Sequence, residues 1–263
     1  AALALLGSLV ACQLGATAST LGAAMHAQAR ASQWQRALVT LAWAVREGLS
    51  PSTATWNMVV SACASDWQWQ RALSLFRQMK ADGLELTPIS YNTTVDALGN
   101  AGQWLLAVAL HDDMKRRGIA PTAVTYTALV SAQARGERWQ AAVAHLEQLR
   151  DDRLQPDIIL YNALTATCAQ GRQWRAALAL LRSMPGLGLA PDLICCNAAI
   201  SACEKGAEWQ HGLALLRAMP RLQITPDVVT CNTAVAACER SSQWQLAFEL
   251  TQQRDVDPRA GKP

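Results

Sequence analysis

The chain has 263 residues, of which 16% are charged and 51% hydrophobic, and its formal net charge is +3. A chain so rich in apolar residues and so poor in charge is not disordered, yet no stretch reaches the ~18 uncharged apolar residues that suggest a membrane span. A net charge of +3 is too small to establish a nucleic-acid partner, so the position of each charge matters more than the total.

The first segment, residues 1–29, contains no Asp, Glu, Lys or Arg. Its residues 1–14 resemble the apolar core of a secretory signal, but no basic segment precedes them and the first residue is not Met. The repeat pattern accounts for this segment better, because residues 1–17 align with the second helix of a preceding repeat. We therefore expect the chain to be a piece of a longer array.

Three columns of residues recur every 35 positions. The first holds Trp34, Trp69, Trp104, Trp139, Trp174, Trp209 and Trp244. The second holds Trp56, Tyr91, Tyr126, Tyr161, Cys196 and Cys231. The third holds Pro51, Pro121, Pro156, Pro191 and Pro226, and is interrupted only at Leu86. The spacing predicts seven repeats without insertions: 18–52, 53–87, 88–122, 123–157, 158–192, 193–227 and 228–262.

One repeat shows the expected elements. An Ala- and Cys-rich segment runs from Ile194 to Glu204, Gly206 marks a turn, and an amphipathic segment follows from Trp209 to Met219. Pro226 then ends the unit, giving helix A, a turn, helix B and a loop. Such a pair cannot bury its own apolar face, so the repeats predict an all-α, right-handed α-solenoid in which the tryptophans pack between successive repeats.

The cysteines and histidines form no recognisable metal or catalytic site. Four of the eight cysteines share one column, whose members stack ~10 Å apart, too far for the ~7 Å limit of a disulfide. The four histidines lie in different columns, and no C-x-x-C or phosphate-binding glycine motif is present. We therefore expect reduced cysteines, no metal, no cofactor and no enzymatic activity, unless a domain beyond these ends supplies the chemistry.

The repeats resemble the pentatricopeptide repeat family. The residues that carry this resemblance are Tyr161-Asn162-Ala163-Leu164 with Pro191-Asp192, and Cys196-Asn197-Ala198-Ala199-Ile200 with Pro226-Asp227. The Cys-Glu-Lys-Gly of residues 203–206 and the repeated Trp-Gln pairs are similar to those of algal or protist organellar members.

The resemblance implies that the chain binds single-stranded RNA along a surface lined by the A helices, at about one base per repeat. The base would be selected by the residue after the helix A aromatic together with the last residue of the repeat. These pairs are Asn57 with Thr87, Asn92 with Thr122, Thr127 with Asp157, Asn162 with Asp192 and Asn197 with Asp227; Asn232 belongs to the last repeat. By the same resemblance the five pairs select pyrimidine, pyrimidine, guanine, uracil and uracil, or Y-Y-G-U-U.

Two further columns are implied to contact the RNA. An aliphatic column would clamp each base from both sides: Ile89, Val124, Ile159, Ile194 and Val229. A column near the end of helix A would contact phosphates through Arg30, Arg135, Lys205 and Arg240. The alternative is that Asn caps helix A and Asp follows Pro because turns favour both residues, and that the basic residues are solvated helix ends.

The expected function is that of a sequence-specific RNA-binding adaptor in a chloroplast or mitochondrion, supporting the processing, stability or translation of a transcript. Its partners would be single-stranded RNA and other RNA-processing proteins, without a membrane or a small-molecule substrate. The alternative function is a protein-interaction scaffold that holds a peptide in the same groove. A peptide scaffold has no reason to keep Asn or Thr after the aromatic.

Overall fold

Two kinds of helix alternate in the computed structural model, which describes residues 22, 25–27, 33–134, 138–243 and 245. The B helices begin at tryptophan: α1 (Trp34–Arg46), α3 (Trp69–Ala81), α5 (Trp104–Arg116), α7 (Trp139–Asp151), α9 (Trp174–Ser183) and α11 (Trp209–Ala218). The A helices are α2 (Thr53–Ser65), α4 (Pro88–Asn100), α6 (Ala123–Ala134), α8 (Ile158–Gln170), α10 (Leu193–Lys205) and α12 (Val228–Arg240). Short 3-10 helices, Pro185–Leu187 and Met219–Leu222, follow α9 and α11. All regular elements in these ranges are helical, which confirms the all-α class.

The helices stack in sequence order within two units, Ala1–Ala132 and Gln133–Pro263. In the first unit α2 packs against α3 and α4, and α4 packs against α5. In the second unit α8 packs against α9 and α10, and α10 packs against α11 and α12. In both units these A helices contact their own B helix and the next A helix, which is the packing of an α-solenoid. Within the described ranges, no helix combines the length and the hydropathy needed to cross a bilayer.

The A helices begin at polar N-caps that end the preceding repeat. The side chains of these residues accept a hydrogen bond from the backbone N–H three residues further on; they are Ser52, Thr87, Asp157, Asp192 and Asp227. Such a cap satisfies one of the N–H groups that the first helical turn leaves without a partner. The Pro-Asp at the end of a repeat therefore also starts the next helix.

The turn between helix A and helix B uses a residue in the left-handed conformation. Its φ is +56° at Arg172 and +58° at Ala207. Gly206 lies in this turn, as predicted, but with an ordinary φ of −83°. Gly206 packs closely against the tryptophan of the preceding repeat, because a Cβ atom on it would lie 2.7 Å from Cδ1 of Trp174. Earlier repeats carry Asp66 and Ala101 at this position.

The tryptophan column packs between successive repeats. Trp174 on α9 approaches Gly206 at the end of α10, and Trp139 on α7 approaches Gly171 in the same way, at 2.6 Å from a Cβ placed there. In the first unit Trp34 is 7% exposed, and its Nε1 donates a hydrogen bond to Oδ2 of Asp66 in the next repeat. These contacts confirm the predicted packing role of the tryptophans.

The cysteines are core residues. Six of the seven described cysteines are buried, Cys231 is half-buried, and all seven are free thiols. Burial raises the pKa of Cys63, Cys168, Cys196 and Cys203 to about 11. These thiols are therefore protonated, apolar packing groups near neutral pH.

Candidate nucleic-acid interface

A column of exposed aliphatic side chains marks one face of the A helices. The second residue of α4, α6, α8, α10 and α12 is Ile or Val, and the exposed fractions are 63% for Ile89, 60% for Val124, 61% for Ile159, 63% for Ile194 and 59% for Val229. Their neighbours at the third residue of each of these helices are buried. A water-facing aliphatic group at the same place in successive repeats offers an apolar surface to a flat ligand such as a base.

The predicted selector pairs meet across adjacent A helices. Nδ2 of Asn162 donates to Oδ2 of Asp192 at 2.9 Å, and Nδ2 of Asn197 donates to Oδ1 of Asp227 at 3.4 Å. In the first unit, Nδ2 of Asn92 donates to Oγ1 of Thr122 at 3.3 Å. The pairs that the family resemblance implies are therefore spatial pairs in three repeats.

The five remaining predicted selector residues lie on α2, α6 and α12 or cap α4 and α8. Asn57 and Thr87 line one groove, described below. Thr127 belongs to the first unit, where its Oγ1 donates to the carbonyl oxygen of Ala123 at 3.0 Å. Asp157 belongs to the second unit, where its Oδ1 accepts from the N–H of Leu160 at 2.8 Å. Asn232 is exposed on α12.

The capping interpretation holds for one member of each pair. Asp192 and Asp227 cap α10 and α12 through the backbone N–H groups of Cys195 and Thr230. Asn162 and Asn197 lie inside α8 and α10, at the fifth residue of each helix, so they are not caps. The carboxylate thus has two roles, starting one helix and holding the amide of the preceding one. An amide side chain inside a helix has no capping role to explain it.

The carboxylate of Asp227 is kept ionised by its neighbours. The backbone N–H of Thr230 is the main cause, and it outweighs the opposing effect of burial; the side chains of Thr230 and Asn197 also contribute, so that the pKa of Asp227 lies below its usual value. An ionised carboxylate only accepts hydrogen bonds. It therefore fixes the direction of the neighbouring amide, whose NH₂ group must face the carboxylate.

A groove of about 390 Å³ lies beside the selector pair of the first unit. It is lined by Thr53, Ala54, Asn57, Met58, Ser61, Thr87, Ile89 and Thr93. The predicted selectors Asn57 and Thr87 and the predicted clamp residue Ile89 therefore share one concave surface. A mostly apolar lining with a few polar groups is the usual character of a site for a small planar ligand.

Of the four predicted members of the basic column, the structure describes Lys205 and Arg240. Arg30 and Arg135 lie outside the described residues. Lys205 is half-buried at the end of α10. Arg240 ends α12, and its Nε lies 3.2 Å from Oε1 of Glu204. Arg240 is thus paired with the residue next to Lys205. Contact with a phosphate would have to compete with this ion pair.

Sequence reasoning missed the third residue of the A helix, which in two repeats contacts the selector amide of the repeat before it. Oγ1 of Thr125 donates to Oδ1 of Asn92 at 2.6 Å, and Oγ1 of Thr230 donates to Oδ1 of Asn197 at 2.5 Å. The same 35-residue spacing could have isolated this column, which continues through Thr55, Ser90, Leu160 and Cys195. The column was missed because its residues differ chemically from one repeat to the next.

Comparison with known protein families supports the resemblance to pentatricopeptide repeats. A model described as the PPR repeat family matches residues 51–100 and 87–135, and a model described as the pentatricopeptide repeat domain matches residues 144–205. Together the matched segments cover more than half of the chain. No curated protein sequence matches the chain.

Solved structures show the same fold. The pentatricopeptide repeat protein PPR10 from maize is 28% identical, with a TM-score of 0.70 over 90% of this chain and 34% of that chain. PPR10 in complex with an 18-nt psaJ RNA element is 24% identical, with a TM-score of 0.55 over 90% of this chain and 43% of that chain. The PPR domain of Arabidopsis thaliana protein-only RNase P 1 in complex with tRNA is 14% identical, with a TM-score of 0.53 over 62% of this chain and 86% of that domain. The chain thus spans less than half of PPR10, and by its repeats and its fold it belongs to the pentatricopeptide repeat family.

Proposed function

We propose that this chain binds single-stranded RNA in a sequence-dependent manner, with each selector pair contacting one base. The observation that carries the proposal is the repeated association of an Asn amide with the last residue of its repeat, beside an exposed aliphatic side chain. PPR10, to which the chain is similar, has been crystallised in complex with an RNA element. The chemistry fits, because amide groups pair with base edges and aliphatic groups pack on base faces.

The bound sequence that follows from the pairs is Y-Y-G-U-U, read by repeats 53–87 to 193–227. The chain would act as a non-enzymatic adaptor in a chloroplast or mitochondrion, holding one segment of a transcript for other RNA-processing proteins. Among the described residues, no three His, Cys, Asp or Glu side chains are grouped to hold a metal ion.

The test changes one selector and follows one base. Replacing Asn162 with Thr gives the pair Thr and Asp192, the combination that Thr127 and Asp157 supply for guanine. The preference at the fourth nucleotide of Y-Y-G-U-U should then change from uracil to guanine, because the shorter Thr leaves room for a purine. We expect a change of ~1–3 kcal/mol at that nucleotide and little elsewhere, measured by competition binding with RNAs that differ at a single base.

The matched control is the same substitution at Asn100, which ends α4 and belongs to no selector pair. Asn100→Thr should leave every base preference unchanged. If Asn162→Thr weakens binding to all RNAs equally, Asn162 supports the helix and does not select a base. If the wild-type chain binds no RNA but retains peptides in the groove, the scaffold function replaces the proposed one.

A further inference from the structure

We propose that the third residue of each A helix determines how strictly the preceding repeat distinguishes uracil from cytosine, by holding or releasing the selector amide. This inference rests on the proposed function. An amide side chain has a donor end and an acceptor end, and its direction decides which end meets the base. A residue that fixes the direction of the amide therefore contributes to the choice of base.

The donor end is held in the same way in three repeats. Nδ2 of Asn92, Asn162 and Asn197 faces the last residue of its repeat, at 3.3, 2.9 and 3.4 Å. Where that residue is Asp, the amide cannot reverse, since its oxygen would then face a carboxylate. The oxygen of each amide is consequently directed toward the next A helix.

The oxygen of the selector amide accepts a hydrogen bond in only some repeats. Thr125 and Thr230 donate to the amide oxygens of Asn92 and Asn197, at 2.6 and 2.5 Å. The hydroxyl proton of Thr230 is shared, because Oδ1 of Asp227 also lies 2.7 Å from its oxygen. These two amides are therefore fixed at both ends.

In the other repeats the third residue gives no such support. Cys195 stands opposite Asn162, and its sulfur lies 3.4 Å from Oγ1 of Thr165 and 3.6 Å from Sδ of Met184. Ser90 stands opposite Asn57, and its hydroxyl lies 3.2 Å from that of Thr87. In the part of the chain that the structure describes, the side-chain oxygens of both Asn57 and Asn162 are buried without a hydrogen-bond partner.

The difference has a direct consequence for base choice. At one edge position cytosine carries an amino donor where uracil carries a carbonyl acceptor. An amide fixed at both ends keeps its N–H toward the base and favours uracil. An amide held only through its Nδ2 can rotate about that hydrogen bond without reversing, and can bring its oxygen, which a buried site otherwise leaves unpaired at a cost, toward the amino group of cytosine. Repeat 193–227 should therefore discriminate strictly, and repeat 158–192 weakly.

Two substitutions with opposite effects test the inference. Cys195→Thr supplies the missing hydroxyl to Asn162 and should raise the uracil-to-cytosine affinity ratio at the fourth nucleotide about fivefold, the worth of one hydrogen bond. Thr230→Val removes a hydroxyl while keeping the shape, and should lower the ratio at the fifth nucleotide by about the same factor. In each variant the other nucleotide serves as the internal control, because a general loss of structure would change both.

A second measurement needs no RNA. Nitrogen-15 relaxation of the side-chain amides in the free chain should show Asn197 more ordered than Asn162, and Cys195→Thr should increase the order of Asn162. Equal order at both amides, with uracil-to-cytosine ratios that neither variant changes, would overturn the inference while base-selective binding stands. A wild-type chain that prefers no base at either nucleotide, with the expected difference in amide order, would instead overturn the proposed function.

Discussion

The sulfur atoms of Cys63, Cys168 and Cys203 occupy one column of the A helices, and Cys196 replaces the tyrosine of other repeats. Each of these four thiols is fully buried. A buried thiolate would lose its hydration without gaining a partner, so burial raises the pKa of each thiol from 9.0 to about 11. The four cysteines are therefore packing groups whose chemistry is suppressed.

This suppression predicts a dependence of stability on pH. The folded-state pKa is raised, so the unfolded chain loses these protons first as the pH increases. The contribution to stability is thus fully present below about pH 9 and is lost as the pH rises toward about 11. Urea unfolding at pH 7, 9 and 10.5 should show a midpoint that falls only above pH 9.

Thiol labelling gives an independent check of the same burial. At pH 8 a thiol reagent should modify the native chain slowly at these four positions and should react with all eight cysteines after unfolding. Rapid labelling of Cys203 in the native state would contradict the burial.

The positions of the proposed selector and clamp residues were predictable from the sequence, because the family resemblance assigns them to fixed places in a 35-residue repeat. Asn162 and Asp192 are 30 positions apart in the chain, yet the repeat brings their side chains to 2.9 Å. The role of Thr230 was not predictable, because it depends on which hydroxyl reaches which amide oxygen between two packed helices. Spacing identifies a column, but only side-chain geometry shows which of its members donate a hydrogen bond.

At the scale of an element, successive repeats of the second unit pack through a close approach between a tryptophan and a glycine of the next repeat. The 35-residue period predicted where α9 and α10 lie, and the tryptophan column predicted contact between repeats. The period did not predict that the backbone reversal falls at Ala207, with a φ of +58°, beside a glycine of ordinary conformation. In this repeat the close approach of Trp174, and not the backbone conformation, limits the size of residue 206, whereas earlier repeats carry Asp66 and Ala101 at the same position.

Gly206→Ala and Gly212→Ala distinguish a glycine that packs closely against tryptophan from a glycine in a helix interior with room for a Cβ atom. Gly206→Ala places a Cβ atom 2.7 Å from Cδ1 of Trp174 and 3.1 Å from the carbonyl oxygen of Ala202. We expect a loss of ~1–3 kcal/mol in the free energy of unfolding, as for an overpacked site. The measurement is the urea midpoint together with the fluorescence of the tryptophans.

Gly212→Ala, in α11, is the matched control. A Cβ atom there would meet Cβ of Cys203 at 3.5 Å, which is ordinary contact, and other repeats carry alanine in this column. Removing glycine from a helix interior should increase stability by ~0.5–1 kcal/mol. Equal effects of the two substitutions would show that the contact with Trp174 does not limit the packing.

At the scale of the whole molecule, the proposed binding to RNA should depend on charge in particular columns. A net charge of +3 gives little general attraction for a polyanion. Charges more than ~10 Å from a phosphate are largely screened at 0.1 M salt, so affinity should depend on the few basic residues that reach the RNA backbone. Lys205 and Arg240 are the described candidates, and Arg240 is already paired with Glu204.

The salt dependence of binding tests this column. Lys205→Ala should weaken binding to all RNA sequences equally and should reduce the slope of log affinity against log salt by ~0.7, the value for one phosphate on a single strand. Arg217→Ala removes the same charge from an exposed position on the B helix α11 and provides the control. Because the two variants have the same net charge, a general electrostatic effect would change both slopes alike. A contact with the phosphate would change only the slope of Lys205→Ala, whereas unchanged affinity and slope for that variant would show that Lys205 is a solvated helix end.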